Sequence, residues 1–66
     1  MSVLKVIEIM ANSSKGWEDA TAKGVAKAAK TLKGLKSAHI EHQSVTISGG
    51  KISNYRVTLK IAFELE

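Results

Sequence analysis

Tyr55-Arg56-Val57-Thr58-Leu59-Lys60-Ile61-Ala62-Phe63-Glu64-Leu65 alternates apolar and polar side chains from end to end. Successive side chains of a strand point to opposite faces, so Tyr55, Val57, Leu59, Ile61, Phe63 and Leu65 face one way. Arg56, Thr58, Lys60, Ala62, Glu64 and Glu66 face the other. Just upstream, Ser48-Gly49-Gly50-Lys51 is a hairpin signal, because glycine tolerates the positive φ that tight hairpin turns need. Residues 38–47 then read as the partner strand. Ala38, Ile40 and His42 hold one parity and Val45 and Ile47 the other, as a β-bulge near His42 to Ser44 would produce.

Working further back, Trp17 to about Leu35 reads as the only helix. Asn12-Ser13-Ser14-Lys15-Gly16 is a turn cluster in front of it, with Gly16 or Ser14 as N-cap and Asp19 three residues after Gly16. Glu18 and Asp19 occupy the first turn and Lys30, Lys33 and Lys36 the last turns, the order the helix dipole favours. The expected apolar stripe is Trp17, Thr21, Val25, Ala28, Leu32 and Leu35, with a small middle at Gly24, Ala28 and Thr31. Residues 3–10 form the first strand, and both of its alternating sets, Val3/Ile7/Ile9 and Leu4/Val6/Met10, are largely apolar. The fold class is therefore α+β. Its order is β-α-β-β, with a three-stranded antiparallel sheet and one helix lying across one face. One helix cannot cover both faces, so the second apolar set of the first strand calls for something outside the chain.

The bulk properties point the same way. Sixty-six residues make a single domain spanning 1–66, and a chain this short has a thin stability margin. Below roughly 70–80 residues, natural proteins add disulfides, a metal or partner chains. There is no cysteine, which excludes a disulfide and a thiolate metal site. No segment approaches the ~18 apolar residues needed to cross a membrane, and the charged N-terminal stretch is not signal-like. A cytoplasmic protein is expected. The net charge of +4 comes mostly from Lys15, Lys23, Lys27, Lys30, Lys33 and Lys36. These read as a solvated helix face, because they occupy several helix positions and base-stacking aromatics are scarce. Nucleic-acid binding is thus a lesser alternative.

No catalytic constellation is present. Serines, histidines and aspartates occur in no nucleophile context, and the Gly-Gly pair sits in a hairpin rather than between strand and helix. His39-Ile40-Glu41-His42 is the nearest approach to a metal motif. On a regular strand His39 and Glu41 share a face and His42 turns away, so only two ligands converge. Glu8, Glu64 and Glu66 could hold a hard cation such as calcium, but only where a symmetry axis multiplies one carboxylate into a ring. Trp17 and Tyr55 read as packing residues, with ligand stacking as the lesser option.

Four segments together resemble the dodecin family over essentially the whole chain. They are Leu4-Lys5-Val6-Ile7-Glu8-Ile9, Trp17-Glu18-Asp19-Ala20, Thr31-Leu32-Lys33-Gly34-Leu35-Lys36, and Tyr55 to Leu65. The resemblance implies a sheet wrapped around the helix and a homododecameric shell of 23 symmetry, helices outward and sheets toward the cavity. It also implies binding of flavins, riboflavin or FMN, stacked in pairs at two-fold interfaces and stored without turnover.

This sequence departs from that pattern at the ligand. The position of the flavin-stacking aromatic is Ser37 and that of its aromatic neighbour is Ala38. The position of the ring-binding glutamine is Arg56, which offers donors but no acceptor. The stacked ring contact, by analogy with bases on aromatics, is worth roughly 1–3 kcal/mol. By family position, Ser37, Ala38, Gln43, Ser44, Ser48 and Arg56 decide the ligand. The expectation is a non-enzymatic dodecameric shell for a small ligand, with weak or absent flavin affinity of the usual kind. The alternative is a structural or cation-binding dodecamer.

Overall fold

The structure, a computed structural model, describes residues 3–65. It contains β1 (Leu4–Ser13), α1 (Trp17–Thr31), β2 (Leu35–Ser48) and β3 (Lys51–Glu64). The sheet order is β1-β3-β2, so the strand with the clearest alternation is central and pairs antiparallel with both neighbours. The molecule is drawn out to 50 × 19 × 13 Å by these long strands. No helix among the described residues is long and apolar enough to cross a membrane.

The helix covers one face of the sheet. Val57, Leu59 and Ile61 are fully buried beneath it, with Ala20 and Ala28 from the helix and Ile7, Ile9, Ala11, Leu32 and Leu35 packed around them. The expected stripe holds at Ala28, Leu32 and Leu35 and is displaced by one position in the first two turns. The line that meets the sheet is Ala20-Gly24-Ala28, all buried, whereas Thr21 and Val25 are half-buried and Trp17 is exposed. Gly24 sits so close that a Cβ there would come to 3.0 Å from Leu59 Cδ1 and 3.2 Å from Ala11 Cβ. Small residues let the helix axis sink onto the sheet, which bulkier ones on the same line would prevent.

The element ends also differ from expectation. The helix stops at Thr31, not near Leu35. Gly34 has φ +73°, and its carbonyl accepts from Glu64 N at 2.9 Å, tying the chain to β3 before another turn can form. Both outer strands are longer than the apolar pattern suggested, because pairing with a 14-residue β3 carries them past their last apolar residue. The hairpin turn is as read, with Gly49 at φ 59° and Gly50 at φ 75° between the paired Ser48 and Lys51.

Gly16 is the N-cap and has no side chain to cap with. Asp19 instead turns its carboxylate back to the strand end, where the hydroxyl of buried Ser13 donates to it, and Lys23 Nζ lies 3.1 Å away. The Ser13 hydrogen bond, then Lys23, holds the Asp19 carboxyl below its usual value. Because the folded pKa is the lower one, this contribution is present above the unfolded value and is lost as pH falls through the folded one. Acid unfolding of Asp19→Asn should therefore lack part of the wild-type loss of stability below the ordinary carboxylate range. Denaturant midpoints at neutral and acidic pH would show it. Parallel pH profiles for the two proteins would remove Asp19 from the account.

Candidate functional site: the open face of the sheet

The face that α1 does not cover is built in rows by the strand register. Asn12, Arg56 and Ser44 form one row, followed by Met10, Thr58 and His42, then Glu8, Lys60 and His39, then Val6, Ala62 and Ser37. The large apolar members lie on β1, where Leu4, Val6 and Met10 are 50%, 56% and 61% exposed. The polar ones are spread over all three strands, Glu8 and Asn12 on β1 and the rest on β3 and β2. Arg56 Nε donates to Asn12 Oδ1 at 2.9 Å, Lys60 Nζ pairs with Glu41 at 3.3 Å, and Lys36 Nζ pairs with Glu64 at 3.5 Å.

The bulge explains where the histidines go. The register shifts between Ile40 and His42, leaving Glu41 as the extra residue, one position before the expected span. His42 thus pairs with Thr58 and shares the open face with His39, which pairs with Lys60. The regular-strand reading had turned His42 away. Even so, no three His, Asp or Glu side chains gather into a metal-sized cluster among the described residues. Glu8 pairs with Lys60 and Glu64 with Leu4, so four residues of β3, about 13 Å, separate them along the strand. Glu66 lies outside the described residues.

The ligand positions read from the sequence do not converge within one chain. Ser37, Ser44 and Arg56 lie on the open face, while Ala38 and Gln43 pair with Ile61 and Val57 on the helix side. Ser37 and Ala38 line a hollow of about 270 Å³ with Val25, Leu35, Lys36 and Ile61. Gln43 lines two concavities beside Trp17, of about 720 and 290 Å³. Ser48 sits at the hairpin end, opposite Lys51. Ser37 pairs with Ala62 and Ser44 with Arg56, a separation of six residues on β3 or about 20 Å. A single planar ligand cannot span that distance, so only a second copy could bring the two ends together.

Trp17 is a strut. Its indole Nε1 donates to the Ser44 carbonyl at 3.1 Å, and its ring meets Tyr55 edge-on with centroids 5.2 Å apart at 80°. This fixes the helix start to β2. The packing reading of both aromatics agrees with that geometry.

One further apolar groove, about 540 Å³, runs between α1 and β1. Ile7, Ile9, Met10, Gly24, Ala28 and Leu32 are among its lining residues. The family model for dodecins matches residues 3–66. The chain belongs to the dodecin family. It is 36% identical over 66 residues to the calcium dodecin of Mycobacterium tuberculosis, covering 98% of this chain and 92% of the relative. It is 33% identical over 64 residues to the dodecin of Thermus thermophilus, covering 97% and 93%. The solved dodecin of Streptomyces coelicolor superposes with a TM-score of 0.95 at 28% identity, covering 98% of this chain and 93% of that one. The β-α-β-β order and the sheet around the helix are therefore those of solved dodecins.

Proposed function

We propose that this dodecin is a non-enzymatic shell subunit. Twelve copies assemble with 23 symmetry and hold a small ligand where subunits meet. The observation that carries this reading is the uncovered face of β1, where Leu4, Val6 and Met10 stand in solvent opposite the helix-covered core. With the one helix among the described residues spent on one face, that apolar surface is left for copies of the chain. Dodecins bind flavins as a family, and the same space is the ligand site proposed here, lined by Ser37, Ala38, Gln43, Ser44, Ser48 and Arg56. Flavin affinity of the usual kind is weak in this member. Ser37 gives no ring to stack on, and Arg56 gives no acceptor.

A second reading is supported by the calcium dodecin of M. tuberculosis, whose solved structure is described as calcium-chelating with a novel calcium-binding site. Glu8 and Glu64 stand on the open face here, and a symmetry axis could gather either into a ring with its copies.

Two titrations of protein purified without flavin test both readings. FMN fluorescence follows flavin capture, and calorimetry follows calcium. Weak FMN binding in wild type should become about 5- to 150-fold tighter in Ser37→Trp, the equivalent of one stacked ring. An unchanged affinity in that variant would remove Ser37 from the flavin site. Calcium uptake that Glu8→Gln or Glu64→Gln abolishes would move the function to cation binding.

A further inference from the structure

The groove between α1 and β1 lies on the helix side of the sheet, apart from the open face and its rows. Small residues make it. Gly24 and Ala28 bring the helix down onto the sheet but add no bulk at its flank, so Ile7, Ile9 and Leu32 stay half-buried along the cleft. Its bottom is closed by apolar side chains, Ala11 Cβ and Ile9 Cδ1 standing 3.2 and 3.7 Å from where a Gly24 Cβ would be. The polar side chains that line it are Lys23, Lys27 and Thr31, with no carboxylate among the lining residues. Lys23 is paired with Asp19 at 3.1 Å, and the Thr31 hydroxyl donates to the Ala28 carbonyl at 3.4 Å. Lys27 is exposed and has no ion pair among the described residues.

An apolar cleft of about 540 Å³ with an uncompensated cation on its lip is complementary to an anionic amphiphile. The tail takes the isoleucine and leucine surfaces out of water, and the head meets Lys27. From Lys23 to Thr31 the helical wall runs about 12 Å, which sets a tail of medium length. A second copy is the poorer occupant. The chain carries a net charge of +4, so a copy laid on this lip would bring like charges together. We propose that the groove binds a medium-chain fatty carboxylate, its alkyl tail on Ile7, Ile9, Ala28 and Leu32 and its carboxylate at Lys27. One chain builds this site, and it does not rest on the ligand reading of the open face.

Calorimetric titration with hexanoate, octanoate and decanoate, each kept below its micelle concentration, tests the site. Saturable binding of about one decanoate per chain is expected, with affinity rising about 2- to 4-fold for each added methylene. Decanol, with the same tail and no charge, should bind more weakly than decanoate. Lys27→Glu should weaken decanoate about 5- to 30-fold, as reversing one charge of a partly exposed pair does. Lys51→Glu makes the same charge change at the hairpin end and should alter it less than about twofold. Met10→Ser, at a lining residue that is 61% exposed and so is spared by the fold, should cost about 3- to 10-fold. No saturable decanoate binding overturns the proposal, as does equal weakening by Lys27→Glu and Lys51→Glu, or equal affinity for decanoate and decanol. Sedimentation with phosphatidylglycerol vesicles by a protein that ignores free decanoate would assign the groove to a membrane surface and overturn it too. Native mass spectrometry of the same samples counts decanoate per particle. A particle of twelve chains that carries none would show the groove closed by neighbouring copies, which also contradicts the proposal.

Discussion

Leu59→Ala should destabilise the protein by about 2–5 kcal/mol, the usual cost of emptying a buried leucine site. Leu59 is fully buried at the centre of the middle strand, paired with Ile9 on one side and Ile40 on the other. Its Cδ1 is also the atom that a Cβ at Gly24 would meet most closely, at 3.0 Å. Every layer of the subunit therefore meets at this one side chain. The surroundings cannot collapse into the space, because two paired strands and a helix hold the walls. A domain of this size has roughly 3–10 kcal/mol of stability in total, so the loss is comparable to the whole. Denaturant unfolding at fixed protein concentration would measure it, the concentration being held because assembly adds to apparent stability. A change below about 1 kcal/mol would mean that Leu59 does not sit at the centre of the core.

Gly24→Val should be nearly as damaging, for the opposite reason. The first carbon added at Gly24 meets Leu59 Cδ1 at 3.0 Å and Ala11 Cβ at 3.2 Å. Leu59 is fully buried under the helix, and the Ala11 methyl is one bond from the β1 backbone. Valine then adds two more methyl groups in the same gap. Overpacking of this kind costs about 1–3 kcal/mol, sometimes more, and forces α1 away from β1. Against it stands a helix-propensity gain of at most about 1 kcal/mol on replacing glycine. Gly24→Ala, with one carbon only, sets the same gain against a smaller clash and should be the milder variant. Thermal melts of both variants, beside wild type, give the order. A Val variant as stable as wild type would show that the helix does not lie this close to the sheet.

These two positions also show what could be read from the sequence. The alternation from Tyr55 to Phe63 was legible because strand side chains obey a strict period of two and both faces are chemically distinct. It named Val57, Leu59 and Ile61, the residues that are buried. The helix was legible in its existence and in the later half of its contact line, but not in the first two turns. The small middle at Gly24 and Ala28 was read correctly, but reading for bulk put Trp17, Thr21 and Val25 on the line at the helix start, where close packing selects Ala20 and Gly24. A row of small residues spaced four apart carried that signal. The helix end was hidden because Leu32 already turns extended, and the chain beyond it is held by a bond from Gly34 to Glu64, thirty residues later.

The open face was half legible. The apolar second set on β1 announced an uncovered surface, and that surface is there. The direction of His42 was not legible, since one bulge residue, Glu41, reverses the parity of all that follows. The Arg56–Asn12 and Lys60–Glu41 pairings depend on register between distant segments, which no local pattern encodes. The ligand positions came from resemblance rather than from periodicity. Within one chain they fall on two faces and at opposite ends of the sheet, so their meaning depends on the assembly.

That assembly is the central claim, and the mass of the particle tests it most directly. Native mass spectrometry of the protein purified without added ligand should show a species near 85 kDa, twelve times the 7.1 kDa chain. A species of one or two chains across the working concentration range would contradict the shell, and with it every ligand site placed between subunits.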